Sequence, residues 1–116
     1  MSDPKINRPG RIFGLINDFT ASAAALDSYY LRGATNAVLV GQQAADPIDK
    51  FGGSRPLRLP HYGVVIDVTT AVENFDSANI RYGVPDVMVV PTLSDWLAGR
   101  DPVLAEALDY SSTGGR

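Results

Sequence analysis

Two short apolar runs with an amphipathic segment between them open the patterned part of the chain. Residues 11–16 read Arg-Ile-Phe-Gly-Leu-Ile and residues 37–41 read Ala-Val-Leu-Val-Gly, a pattern typical of short strands buried in a parallel sheet. Between them, apolar residues recur at helical spacing at Ala23, Leu26, Tyr29, Tyr30 and Leu31. Gly33 is placed to end this helix in a left-handed cap. Strand, helix and strand predict a βαβ unit.

The apolar pattern stops after the second run and returns in shorter pieces. Residues 42–55 contain a proline and paired glycines without periodicity, which predicts a long loop. Residues 56–59 and 63–70 flank Pro-His-Tyr and are typical of an antiparallel hairpin. Residues 71–82 are polar and are expected to be irregular. Residues 84–90 predict a further strand, entered through a proline.

Two short helices are predicted at the end of the chain. Thr92 or Ser94 can cap a helical turn that stops at Gly99, and Asp101 followed by proline is typical of a helix start. The second of these helices carries apolar residues up to Leu108. The predicted fold class is therefore α/β, a mainly parallel sheet with a βαβ unit, a hairpin and C-terminal helices.

Length and composition fit one small domain. With 116 residues, of which 45% are hydrophobic, the chain can bury a single modest core. We expect a flexible lead-in at residues 1–10, a folded part at residues 11–110 and a frayed tail at residues 111–116. No internal repeat or low-complexity tract indicates a second domain.

Charge and residue types exclude several classes of function. The net charge is −3 and both signs are interspersed, so we expect no nucleic-acid partner. No apolar run approaches the length of a membrane span, and the first ten residues lack the apolar stretch of a signal peptide. The compartment is left open. With no cysteine and one histidine, we expect no disulfide, no metal site and no cofactor.

Ser22 is the residue with the clearest chemical potential, because it lies where the first strand gives way to the helix. A hydroxyl at that junction is beside the free N–H groups of the first helical turn. These groups carry partial positive charge and can hold a developing oxyanion. The alternative interpretation is that Thr20 or Ser22 only caps the helix, as threonine and serine often do.

Several short motifs follow one another along the chain. Residues 20–23 read Thr-Ala-Ser-Ala, residues 37–41 end in Leu-Val-Gly, and residues 59–63 read Leu-Pro-His-Tyr-Gly. Residues 84–86 contain Pro-Asp, and residues 95–104 contain Gly-Arg-Asp-Pro-Val-Leu. As an ordered set, they resemble the C-terminal half of the catalytic domain of the tail-specific (C-terminal processing) serine peptidases, the family that includes the tricorn protease core.

The resemblance implies a fold of the crotonase and Clp-protease type, of which this chain would be a partial domain. It implies that Ser22 attacks the peptide carbonyl and that the backbone N–H of Ala23 helps to bind the oxyanion. A second oxyanion donor would come from an earlier part of the domain. In the family, the loop after the second strand runs beside the nucleophile, so Gly52 and Gly53 are candidates for contact with the substrate backbone.

The base that would take the proton of Ser22 is not apparent in the chain. Processing proteases use a lysine soon after the Val-Gly strand, whereas Lys50 lies several residues too late. The tricorn-like branch uses a histidine from the N-terminal part of the catalytic domain, whereas His61 occupies the turn position of the family's asparagine. We therefore expect a serine-type endopeptidase, acting on peptides or proteins, that is weak or inactive as this chain alone.

A non-catalytic binding or assembly module is the competing hypothesis. In that case Ser22 is a helix cap, and open sheet edges recruit a partner or a second copy of the chain to form a homo-oligomer.

Overall fold

The computed structural model describes residues 7–8, 10–46, 50–73 and 83–112, and every structural statement below refers to them. Within these residues, eight elements follow one another. They are β1 (Phe13–Ile16), α1 (Ala23–Ala34), β2 (Val38–Gly41), β3 (Lys50–Arg58), β4 (Val65–Glu73), β5 (Val87–Met88), α2 (Leu93–Leu97) and α3 (Pro102–Ser112). The α/β class, with a parallel sheet, an antiparallel pair and helices, is confirmed.

A three-stranded parallel sheet has the order β1-β2-β5, with β2 in the centre. Phe13 pairs with Val38 at the start of β1 and β2, and Val40 pairs with Val87 on the other side. Since β1 and β2 are parallel neighbours joined through α1, the predicted βαβ unit is confirmed.

The core is built on both faces of β2. Leu39 and Val40 are fully buried, and successive residues of a strand point to opposite faces. Val40 packs with Val103 and Ala107 of α3. On the other face, a Cβ added to Gly14 would lie 2.6 Å from Leu39 Cδ2 and 3.2 Å from the Cδ2 of Leu31 in α1. The sheet therefore lies between α1 and α3.

A carboxylate ties α1 and β2 to the segment that leads into β5. Asp86 Oδ2 accepts a hydrogen bond from the backbone N–H of Leu39 at 2.8 Å, and Asp86 Oδ1 lies 2.7 Å from the guanidinium of Arg32. The same guanidinium donates to the carbonyl oxygen of Val84 at 2.9 Å. These contacts fix the C-terminal end of α1 against the sheet.

The start signals of both C-terminal helices are confirmed. Thr92 and Asp95 form a capping box at α2. Hydrogen bonds from Thr92, with that from Arg100, hold the pKa of Asp95 below its ordinary value, so this carboxylate supports the helix until the pH falls through the lowered pKa. Asp101 Oδ1 accepts hydrogen bonds from the N–H groups of residues 103 and 104, at 3.1 and 2.9 Å.

Two predicted boundaries and one predicted burial in the first half of the chain are wrong. α1 continues past Gly33 to Ala34, because Gly33 keeps a helical conformation and Thr35 ends the helix. The loop predicted at residues 42–55 is too long, since β3 already begins at Lys50. β1 is not buried on both faces, since it lies at the edge of the sheet and Leu15 is 45% exposed.

In the second half, residues 71–73 belong to β4 rather than to an irregular segment, and the strand predicted at residues 84–90 is reduced to β5. Residues 74–82 of the predicted irregular segment lie outside the described residues. Near the N-terminus, Asn7 Oδ1 accepts a hydrogen bond from the N–H of Asn36 at 2.6 Å. This bond attaches one residue of the predicted flexible lead-in to the segment before β2. The backbone of α3 continues to Ser112, two residues into the predicted tail.

The β3–β4 hairpin projects from the rest of the molecule. Among the described elements, β3 and β4 make their extensive contacts with each other. The molecule measures 62 × 41 × 23 Å. Its radius of gyration is 18.2 Å, compared with about 13 Å for a compact chain of this length.

Glycine substitutions test the architecture of the sheet. Gly41 has φ +128° and a Cβ there would lie 2.0 Å from the carbonyl oxygen of Ile16, so we expect Gly41→Ala to lower the free energy of unfolding by about 2–4 kcal/mol. Gly33 is helical with open space around it. Gly33→Ala, the matched control, is expected to raise that free energy by about 0.5–1 kcal/mol. Urea unfolding measures both, and equal effects would contradict the described packing.

Candidate functional site

The turn between β1 and α1 is locked by two side chains. Thr20 Oγ1 accepts a hydrogen bond from the backbone N–H of Asn17 at 2.9 Å and donates to Asn17 Oδ1 at 3.2 Å. Asn17 Oδ1 also accepts from the N–H of Phe19 at 3.0 Å. Since the Thr20 hydroxyl is committed to Asn17, the interpretation of Thr20 as the cap of α1 is wrong.

Ser22 occupies the N-cap position of α1 in an unusual backbone conformation. Its φ is 53° and its ψ is −123°, and it is the one residue other than glycine with a positive φ among those described. The residue is exposed, and its side chain makes no capping hydrogen bond. The cap interpretation of Ser22 is therefore wrong as well. Backbone strain of this kind costs about 1–3 kcal/mol and persists only when surrounding contacts impose it.

The loop after β2 supplies such contacts. The backbone N–H of Ser22 donates to Asp46 Oδ2 at 2.6 Å, and the N–H of Ala45 donates to the carbonyl oxygen of Thr20 at 3.0 Å. The preceding residue, Ala44, is buried and donates to the carbonyl oxygen of Gly83 at 3.0 Å. The loop after β2 thus binds the Ser22 turn through Ala45 and Asp46, and is itself fixed by the bond between Ala44 and Gly83.

Ala23 provides the hydrogen-bond donor next to the serine. The N–H of Ser22 is bound to Asp46, and the N–H of Ala24 donates to the carbonyl oxygen of Ala21 at 3.1 Å. No acceptor for the N–H of Ala23 is found in the described part of the chain. An N–H in the first helical turn carries partial positive charge, so Ala23 can bind an anionic oxygen beside Ser22.

A pocket of about 230 Å³ lies at the carboxyl ends of β1 and β2. Its apolar lining comes from Leu15, Ile16, Pro91 and Val103, and its polar lining from Asn17, Thr20, Gln42 and Asp101. Thr20, two residues before Ser22, lines the pocket, whereas Ser22 itself does not. Open α/β sheets bind their ligands at this edge.

The other predicted site residues lie in the hairpin. Gly52 pairs with Ala71 inside β3, and the Thr70 hydroxyl donates to the carbonyl oxygen of Gly53. The premise that these glycines belong to a loop is wrong, and their contact with substrate stays a prediction. His61 is exposed in the turn between β3 and β4. Among the described residues, no hydrogen bond joins any of the three to the Ser22 turn.

Other classes of site are not apparent in the structure. The described residues contain no group of three or more histidine, aspartate and glutamate side chains that could hold a metal ion. None of the helices within the described ranges is both long and apolar enough to span a bilayer.

No protein-family model and no curated protein matches the sequence. The functional interpretation therefore depends on the geometry of the Ser22 turn.

Substitutions at Ser22 test its backbone conformation. Glycine adopts a positive φ without strain, so we expect Ser22→Gly to raise the free energy of unfolding by about 1 kcal/mol. Ser22→Ala removes no capping hydrogen bond, so we expect a change below about 0.5 kcal/mol, whereas loss of a serine cap costs about 1 kcal/mol. Urea unfolding distinguishes these values, and destabilisation by both substitutions would mean that the side chain does cap the helix.

Substitution of Asp46 tests the support of the turn. A hydrogen bond to a charged group contributes about 1.5–3 kcal/mol, so we expect Asp46→Ala to lower the free energy of unfolding by that amount. Asp46→Asn keeps an acceptor and is expected to cost less. The matched control is Asp18→Ala, because Asp18 is an exposed carboxylate in the same turn. If Asp18→Ala and Asp46→Ala had equal effects on thermal unfolding, the described support of Ser22 would be wrong.

Proposed function

We propose that Ser22 is the nucleophile of a serine-type peptidase, and that this chain is the C-terminal portion of its catalytic domain. The observation that carries the proposal is the backbone of Ser22, an exposed residue held at φ 53° and ψ −123° whose side chain makes no capping hydrogen bond. Strained turns between a strand and a helix are used by serine hydrolases to expose the nucleophile.

The energetics of the turn favour this function over a structural role. Glycine at position 22 would remove the strain, and a serine that capped α1 would adopt an extended backbone and bond to the helix. Ser22 has neither the extended backbone nor the hydrogen bond of a capping serine. Its N–H donates to Asp46 Oδ2 at 2.6 Å. A strained residue that makes no structural bond of its own through its side chain is typical of a catalytic site.

The chemistry proposed for Ser22 is acyl transfer. The Oγ of Ser22 attacks the carbonyl carbon of a peptide bond, and the negative charge that develops on the carbonyl oxygen is held by the N–H of Ala23. Collapse of this intermediate breaks the C–N bond, and the nitrogen leaves as an amine with the proton that the base took from Ser22. Water then hydrolyses the acyl-serine ester, which releases a carboxylic acid and restores the serine hydroxyl. The pocket beside Thr20, with apolar and polar walls, would take a side chain of the peptide substrate.

The proton of Ser22 requires a base that this turn does not itself supply. Asp46 is the carboxylate in contact with Ser22, through the backbone N–H of the serine, and a carboxylate is a weak base for a serine hydroxyl. Because its Oδ2 holds the backbone of Ser22, Asp46 acts as a positioning residue. The resemblance to the tricorn-like branch assigns the base to a histidine in another part of the catalytic domain.

The finer fold assignment is part of the same proposal. Parallel β1 and β2, with the serine opening the helix between them, support a partial domain of the crotonase and Clp-protease type. The alternative, a non-catalytic binding or assembly module, is favoured by a different observation, the projecting hairpin with exposed apolar side chains. The part of this alternative in which Ser22 is a helix cap is wrong, because the serine side chain makes no capping hydrogen bond.

Labelling with a fluorophosphonate probe tests the nucleophile. We expect Ser22 to be modified at least about tenfold faster than the exposed Ser54 and Ser94, because Ala23 N–H holds the developing charge. Added imidazole, an external base, should accelerate labelling of Ser22 selectively. Peptide mass spectrometry identifies the modified serine, and Ser22→Ala is the control. Equal labelling of the three serines, with or without imidazole, would contradict the proposal.

A further inference from the structure

The hairpin leaves its apolar side chains without cover. Phe51 is 72% exposed and Val72, its cross-strand partner, is 69% exposed. Leu57 and its partner Ile66 are 51% and 41% exposed. A two-stranded hairpin is marginally stable in water when nothing covers or extends it. This pair of strands therefore needs further contacts, and its backbone shows on which side.

Hydrogen bonding alternates along the two strands and decides which backbone groups face outward. The N–H of Leu59 donates to the carbonyl oxygen of Val64 at 2.8 Å. In an antiparallel pair every second pair of residues is hydrogen-bonded, so pairs 57/66, 55/68 and 51/72 belong to the bonded set. The backbone groups of Val65, Asp67, Thr69 and Ala71 then point away from β3. We call these four residues the β4 edge.

The opposite edge of the hairpin is blocked. Pro56 pairs with Asp67 in the set without hydrogen bonds, so its missing N–H falls on the outer side of β3. Proline at that position prevents a further strand from pairing there. β4 contains no proline, and six of its nine residues are β-branched. A strand that extends this sheet would therefore pair with β4.

We propose that the β4 edge pairs antiparallel with the β4 edge of a second copy of this chain, forming a four-stranded sheet across a two-fold axis at Thr69. Thr69 is the midpoint of β4 (Val65–Glu73), so this register alone pairs the whole strand with itself. It places Asp67 opposite Ala71 and no like charges face each other. A two-fold axis at Asp67 would instead oppose two carboxylates.

The same register completes an apolar surface. Ile66 lies opposite Val72 of the second copy, and each already has its own apolar partner in β3. Each half of the sheet therefore gains a row of four apolar side chains across the four strands, in the order Leu57, Ile66, Val72 and Phe51. Each such row consists of three cross-strand pairs, and pairs of apolar side chains opposite each other stabilise a sheet. A two-fold axis produces the row twice with one set of residues, which favours a second copy over an unrelated strand.

Single cysteines test this pairing, because the chain contains no cysteine of its own. In the proposed dimer the two Thr69 Cα atoms are about 5.5 Å apart, within the range of a disulfide. The two Ser54 Cα atoms are about 14 Å apart, three strand spacings, and out of range. We expect Thr69→Cys to form a covalent dimer under mild oxidation at least about tenfold faster than Ser54→Cys. Equal rates, or no dimer from Thr69→Cys, would overturn the proposal.

Charge substitutions at the same two positions give an independent readout. Thr69→Lys puts two ammonium groups face to face in the dimer and should convert it to monomer. Ser54→Lys, on the same face but next to the blocked edge, should remain dimeric. Light scattering after size exclusion measures the mass, and circular dichroism shows that each variant is folded. An unsubstituted chain that is monomeric, or whose β4 edge is covered by a different protein or by another segment of a longer protein, would overturn the proposal.

Discussion

Burial of β2 is the constraint on which the parallel sheet depends. Leu39 and Val40 are fully buried on opposite faces of the strand, so α1 must cover one face and α3 the other. Because β2 is the central strand, its direction is shared by β1 and β5, and the carboxyl ends of the strands meet at one edge. The turn that carries Ser22 leaves the sheet at this edge. Two buried side chains therefore determine where the candidate nucleophile lies.

The Ser22 turn combines local strain with distant support. Asn17 and Thr20 close the turn through side-chain hydrogen bonds, and Asp46 fixes the backbone of Ser22 from the next loop. These contacts offset a conformation that serine rarely adopts. They also commit the N–H of Ser22 and leave that of Ala23 available. The N–H of Ser22 therefore holds the turn in place, while the N–H of Ala23 can bind an oxygen of a substrate.

The βαβ unit and the place of Ser22 at the start of its helix could be predicted, because both follow from local patterns of residues. The hairpin could be predicted in part, from residues 56–59, but the first part of β3, residues 50–55, could not, since Gly52 and Gly53 lower its β-propensity and pairing with β4 overrides them. The role of Asp46 could not be predicted either. Its bond to Ser22 joins positions 24 residues apart, and no periodicity reports such a contact. The same applies to the backbone strain, which depends on that bond.

The separation of contacts along the chain gives the fold an order of assembly. The hairpin needs neighbouring strands and a short turn, and such units form in microseconds. The pairing of Val40 with Val87 requires a long segment to close first, and slow steps of folding are of this kind. Asp46 can reach Ser22 only after β1 and β2 are aligned. A nascent chain emerging from the ribosome therefore carries an ordinary, relaxed serine, and the distorted one arises late, once the sheet is complete.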